Sequence, residues 1–237
     1  MNVLRFDSEA AWVRGVAAVW RDRLRCQPRL DMCLPAGGTP NAVYAEMRRS
    51  VADGQVSFAT ASIWVLDEFG GLASDDRGRC ANALRQHLLG GIDLPEASFH
   101  CLEPSDPDLD ERCRRYEPPG GFGLVLLGLG TNGHLGMNEP GSAVDSPTRR
   151  AELHPSTIQA SSRYFTHNRL PSWGVTVGLG PIMRAAEIWL LAAGRSKAEI
   201  VRRTLRDDVG DQLPASWLRG HANCSLFVDA EAASLLG

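Results

Sequence analysis

Short apolar runs alternate with amphipathic stretches along most of the chain. Residues 8–25 place Ala11, Val13, Val16, Val19 and Leu24 at near-helical spacing with arginines opposite, which predicts an amphipathic helix. Asp31–Leu34 is a brief apolar run that ends in Pro35-Ala-Gly-Gly-Thr-Pro40, and a helical stretch follows over 41–49. This is strand, glycine turn, helix. The unit recurs. Strands are predicted at 62–66, 97–102, 123–127, 187–193 and 224–228, and helices at 80–89, 109–116 and 196–206. Gly123–Leu127 and Glu187–Ala193 are apolar at nearly every position, as strands covered on both faces must be. Strands alternating with helices imply the α/β class. The expectation is a single domain over 1–237, with a Rossmann-like, mostly parallel sheet and helices on both faces. No fixed-period repeat or low-complexity linker divides it. Residues 141–171, rich in Ser, Pro, Arg and His, are the least regular and are expected to form a mobile lid near the site.

Composition narrows the function. With 237 residues, 43% apolar and 22% charged, the chain can bury a full core and is not a disordered tail. A net charge of −3 argues against gripping a nucleic-acid backbone, so no nucleic-acid partner is expected. No stretch reaches the ~18 apolar residues of a membrane helix, so no membrane partner is expected. The first residues lack the apolar region of a signal peptide. Cysteines at 26, 33, 80, 101, 113 and 224 form no Cys-x-x-Cys pair and no zinc spacing with histidine. Free thiols in the cytoplasm, and no metal, are the expectation. The six tryptophans are expected in the core. Of the 25 basic residues, 24 are arginine and one is Lys197. GC-rich codon usage accounts for the arginines but not for the exception.

Candidate chemistry gathers at three strand ends, where ligands of open α/β sheets bind. Gly37-Gly38-Thr39 opens a helix, so its backbone N–H groups and hydroxyl suit a phosphate; a plain tight turn is the other reading. Asp67 and Glu68 follow an apolar strand. Successive side chains point to opposite faces, so only one of the pair is expected to face the cleft; the functional reading is a general base, and a helix-capping carboxylate is the other reading. Gly128–Pro140 is the densest run, with four glycines around Asn132, His134 and Glu139. A carboxylate beside an imidazole raises its pKa and selects its tautomer, which suggests an acid/base pair.

These segments resemble the glucosamine-6-phosphate deaminase (isomerase) family, which shares a fold with the 6-phosphogluconolactonases. Gly37-Gly38-Thr39-Pro40, Asp67-Glu68-Phe69, Gly128–Pro140, Ser162–Phe165, Val175–Gly178 and Gly194–Lys197 match its motifs in order. Asn132 stands where the family usually has aspartate. That residue, the helix Cys80–His87 and Leu213-Pro-Ala-Ser-Trp-Leu218 resemble the galactosamine-6-phosphate branch, whereas Ser162-Arg163-Tyr164-Phe165 resembles the glucosamine branch. Relatives of the glucosamine branch are often homo-oligomers, but no stretch here identifies an interface.

The resemblance implies aldose–ketose isomerisation coupled to deamination of a 2-amino-2-deoxyhexose 6-phosphate, with no cofactor and no metal. It places Asp67 as the proton shuttle, His134 as the ring-opening group oriented by Glu139, and Asn132 third in the relay as a group that cannot ionise. Glu139 alone then supplies the charge. The phosphate is expected against Gly37, Gly38, Thr39, Arg163 and Lys197. The alternatives are a 6-phosphogluconolactonase-type hydrolase and a sugar-phosphate-binding regulator with a disabled relay.

Overall fold

The computed structural model describes residues 1–165 and 170–237. The strands are β1 (Asn2–Phe6), β2 (Asp31–Leu34), β3 (Ser62–Val65), β4 (Asp67–Phe69), β5 (Phe99–His100), β6 (Leu124–Gly128), β7 (Arg149–Glu152), β8 (Trp173–Thr176), β9 (Ile188–Ala192) and β10 (Cys224–Asp229). The α-helices are α1 (Glu9–Cys26), α2 (Gly38–Ala52), α3 (Cys80–His87), α4 (Leu109–Arg114), α5 (Pro155–Ser161), α6 (Leu179–Met183) and α7 (Ala198–Arg206). Seven strands form one parallel sheet in the order β1-β10-β9-β6-β2-β3-β5. The expected α/β architecture holds.

The core lies on both faces of that sheet. In β6, Leu124 and Leu126 pack with α1, α2 and α3, while Val125 and Leu127 point to the opposite cluster with α4, α6 and α7. All four are fully buried, as are Trp189 and Leu191 on one face of β9 and Ile188 and Leu190 on the other. Each such side chain contributes about 1.5–3 kcal/mol on burial, which explains why these strands show no polar alternation. Trp12, Trp20 and Trp189 are core residues; Trp64, Trp173 and Trp217 are half-buried. All six cysteines are free thiols, and Cys26 and Cys101 are exposed. Among the described residues no helix is long and apolar enough to cross a membrane.

Three expectations need correction. First, the strand ending in Asp67-Glu68 does not stop there. The chain leaves the parallel sheet at Leu66, whose N–H donates to Leu34 O and whose carbonyl accepts from Val177 N. It then continues as β4 in a small antiparallel sheet of order β4-β8-β7. Second, 141–171 is not irregular throughout. Residues 149–152 form β7, 155–161 form α5 and 162–164 a 3-10 turn, while 166–169 lie outside the described residues. Charges conceal β7, because Arg149 turns inward to Asn138 Oδ1 and Arg150 lies over the Trp173 ring. Third, β1 and β8 are strands beyond those expected, because neither carries a long apolar run. β1 is an edge strand with a charged residue, and β8 contains a glycine.

Connectivity sets the location of the site. From β2 the chain proceeds outward through β3 to β5, then returns to place β6 on the other side of β2. The loops leaving β2 and β6 therefore diverge, and the crevice between them is the topological switch point where α/β folds bind ligands.

Candidate active site

A cleft of about 450 Å³ opens at this switch point, bordered by the loops after β2 and β6, by β4, and by segments of α3 and α5. It brings together seven of the nine residues expected from sequence: Gly37, Gly38, Thr39, Asp67, His134, Arg163 and Lys197. Asn132 and Glu139 stand behind His134 rather than on the wall. A larger hollow of 620 Å³, around Trp64, His100 and Tyr116, lies apart and contains none of these residues.

Asp67 and Glu68 take separate roles, as strand alternation demands. Glu68 is 1% exposed and accepts hydrogen bonds from Phe69 N (2.9 Å), Cys80 N (2.8 Å) and Ala81 N (3.1 Å), with Arg79 Nε 3.5 Å away. It therefore satisfies orphan N–H groups where α3 begins. Asp67 faces the cleft. Burial pushes its carboxyl up to about 7, and the neighbouring Glu68 charge adds to the rise, while a hydrogen bond from the Cys80 thiol opposes it.

In the same cleft, the imidazole of His134 lies against Gly130, where any Cβ would collide with the ring. Its Nδ1 is 2.7 Å from Asn132 Oδ1, and the Asn132 Nδ2 donates to Glu139 Oε2 at 2.9 Å. Asn132 Oδ1 also accepts from His134 N at 3.1 Å. The amide orientation follows, since reversing it would set its oxygen against the Glu139 carboxylate. Nδ1 thus carries the proton and leaves the Nε2 lone pair for the cleft. Asn132 contacts the ring directly and is itself held by Glu139. Glu139 Oε2 is 3.5 Å from Nδ1 and acts on the ring through its charge. Burial holds the imidazole below its ordinary pKa; Glu139 opposes that shift, and the Lys197 charge adds to it.

Part of the lining is cationic, with Arg163 and Lys197. Gly37, with φ of +136°, turns the chain into α2, leaving the first-turn N–H groups of Gly38 and Thr39 without intrahelical partners. Lys197 closes the 3-10 turn before α7, and its Nζ donates to Leu129 O at 2.6 Å. Burial, together with the nearby Arg163 charge, holds its ammonium below the ordinary value. Among the described residues neither Lys197 nor Arg163 has an ion-pair partner, and two cations beside first-turn N–H donors form a lining suited to an anion.

Three further residues join the site. Thr157 Oγ1 lies 3.3 Å from His134 Nδ1, the Cys80 thiol adjoins Asp67, and the Tyr164 hydroxyl accepts from Gly38 N at 3.3 Å. Tyr164 was legible only as part of the Ser-Arg-Tyr-Phe run. Nothing in sequence marks Thr157, because its approach to His134 depends on how α5 folds back.

Residues 7–227 match the family described as glucosamine-6-phosphate isomerases/6-phosphogluconolactonase. The chain is 35% identical to the glucosamine-6-phosphate deaminase of Shouchella clausii, over 99% of this chain and 97% of that protein. It is 38% identical to that of Rhodopirellula baltica, over 97% and 93%. A solved structure of a monomeric glucosamine-6-phosphate deaminase superposes with a TM-score of 0.94 at 33% identity, covering 99% of this chain and 100% of the other. A 6-phosphogluconolactonase from Trypanosoma brucei, at 21% identity and TM-score 0.78, shares the fold. A cleft that pairs one raised carboxyl with a wired imidazole at the switch point, on a chain matched end to end, leads to one conclusion: the protein belongs to the glucosamine-6-phosphate isomerase/6-phosphogluconolactonase family.

Proposed function

We propose that this protein is an isomerising glucosamine-6-phosphate deaminase that works in the cytoplasm. The observation that carries the reading is that Asp67, His134 and the two cations Arg163 and Lys197 line one cleft. In this reading the phosphate sits against Gly38, Thr39, Arg163 and Lys197, which places the sugar ring between the two acid/base groups. His134 Nε2 takes the proton of the C1 hydroxyl and returns it to the ring oxygen as the C1–O5 bond breaks. Asp67, ionised, removes the C2 proton to form an enolamine and delivers a proton to C1. The resulting ketimine adds water and releases ammonia, leaving the ketohexose 6-phosphate. A carboxyl that titrates near 7 suits both removal and return of a proton at neutral pH. Asn132 cannot share charge with the imidazolium, so Glu139 supplies it across the amide.

The curated relatives named above support glucosamine 6-phosphate as the substrate. Motifs shared with the galactosamine branch make its C4 epimer the competitor to test. Parallel turnover of glucosamine 6-phosphate, galactosamine 6-phosphate and 6-phosphogluconolactone, with ammonia and lactone loss measured, separates the readings. Ammonia release from the gluco epimer is expected. No ammonia from either hexosamine would refute the proposal, and lactone hydrolysis alone would favour the hydrolase.

A further inference from the structure

Tyr164 sits where the phosphate is expected. Its hydroxyl oxygen accepts from Gly38 N at 3.3 Å and from Arg163 Nη2 at 2.9 Å, and the Arg163 guanidinium also lies over the Tyr164 ring, 5.0 Å from its centroid. Gly38 N is a first-turn donor of the 15-residue helix α2, and Arg163 is one of the two cations beside it. A neutral phenol therefore holds both donors that an anionic oxygen would take. One N–H makes one good hydrogen bond, so Tyr164 and a phosphoryl oxygen exclude each other at Gly38.

We propose that Tyr164 is an affinity-setting residue: its hydroxyl competes with the substrate phosphate for Gly38 N–H and Arg163, and binding displaces it. This rests on the phosphate placement proposed above, and identifies a side chain that weakens binding there. A dianionic oxygen outbids a phenol for such donors because charge-assisted bonds are about twice as strong as neutral ones. Displacement is mechanically available, since Tyr164 lies in a 3-10 turn after α5 and pairs with no strand. Tyr44, by contrast, is fully buried with its hydroxyl bonded to Pro35 O, and could not serve.

The test is Tyr164→Phe, which keeps the ring beneath Arg163 and deletes only the competing oxygen. Binding of inorganic phosphate is measured by calorimetry on the wild type and the variant, and KM is measured for glucosamine 6-phosphate. Phosphate Kd and KM should both fall by about three- to tenfold, by a common factor. An unchanged Kd would overturn the proposal, as would phosphate binding to neither protein. A raised Kd would overturn it by showing that Tyr164 donates its proton to the bound anion. The phosphate arm needs no turnover. If the wild type releases no ammonia yet Tyr164→Phe tightens phosphate, the function fails and this inference stands.

Discussion

Replacing Asp67 by asparagine removes a charge from the cleft while leaving its shape intact. The structure raises this carboxyl from 3.8 to about 7, chiefly by burial. At 1.36 kcal/mol per unit, the full shift corresponds to about 4 kcal/mol of destabilisation by the ionised form. The cleft is open to water, which screens the charge, so about 2 kcal/mol is the expected share. The sign follows from proton uptake. Between the unfolded and folded pKa values the native state binds more protons than the unfolded chain, so stability falls as pH rises through that window and levels off above 7. Asparagine mimics the protonated carboxyl at every pH. Urea unfolding should therefore show no gain for Asp67→Asn at pH 4, a gain that grows between pH 4 and 7, and a constant gain at pH 8. Turnover should fall by about 10²–10⁴-fold at pH 8 and by progressively less towards pH 4, where the wild-type carboxyl is itself protonated. A stability difference independent of pH would refute burial as the source of the shift. Undiminished turnover would remove Asp67 from the chemistry.

Three other exchanges probe the remaining walls. Glu139→Gln should lower kcat by about tenfold and move the His134 titration, followed by NMR of the ring protons, to lower pH, because burial then acts without the opposing carboxylate; an unchanged kcat at all pH values would refute the relay. Glu68→Ala leaves three N–H groups without their acceptor and Arg79 with Glu103 as its remaining carboxylate, and should cost about 3–5 kcal/mol in urea unfolding. A loss under about 1 kcal/mol would contradict the capping role. Lys197→Arg should raise KM for the sugar phosphate by about tenfold with kcat less affected, because a planar guanidinium does not reproduce a point charge 2.6 Å from Leu129 O; an unaltered KM would make Lys197 an ordinary surface cation.

Much of the fold was legible from the chain. β6 and β9 announce themselves because strands covered on both faces must be apolar at successive positions. α1 does so because one stripe faces the sheet and its arginines face water. The glycine turn at 37–38 and the glycine-rich run from Gly128 were legible because few residue types suit close approach at a strand end. The single lysine was legible as an exception in composition, although its contact with Leu129 O was not.

What the sequence by itself determined was the alternation of strands and helices, the three chemistry-bearing strand ends, and the fact that only one of Asp67 and Glu68 can face the cleft. Those depend on local geometry, which a periodicity of two or 3.6 records directly. Tertiary structure alone decided which of the two does so, because α3 arrives with its N–H groups at Glu68 and leaves Asp67 to the cleft. It alone placed Asn132 between His134 and Glu139, and brought the Tyr164 hydroxyl to Gly38 across 126 residues of chain. The Tyr164 contact joins segments distant in sequence through the return of α5, and the Asn132 contacts depend on how one irregular loop bends; no one-dimensional period encodes either.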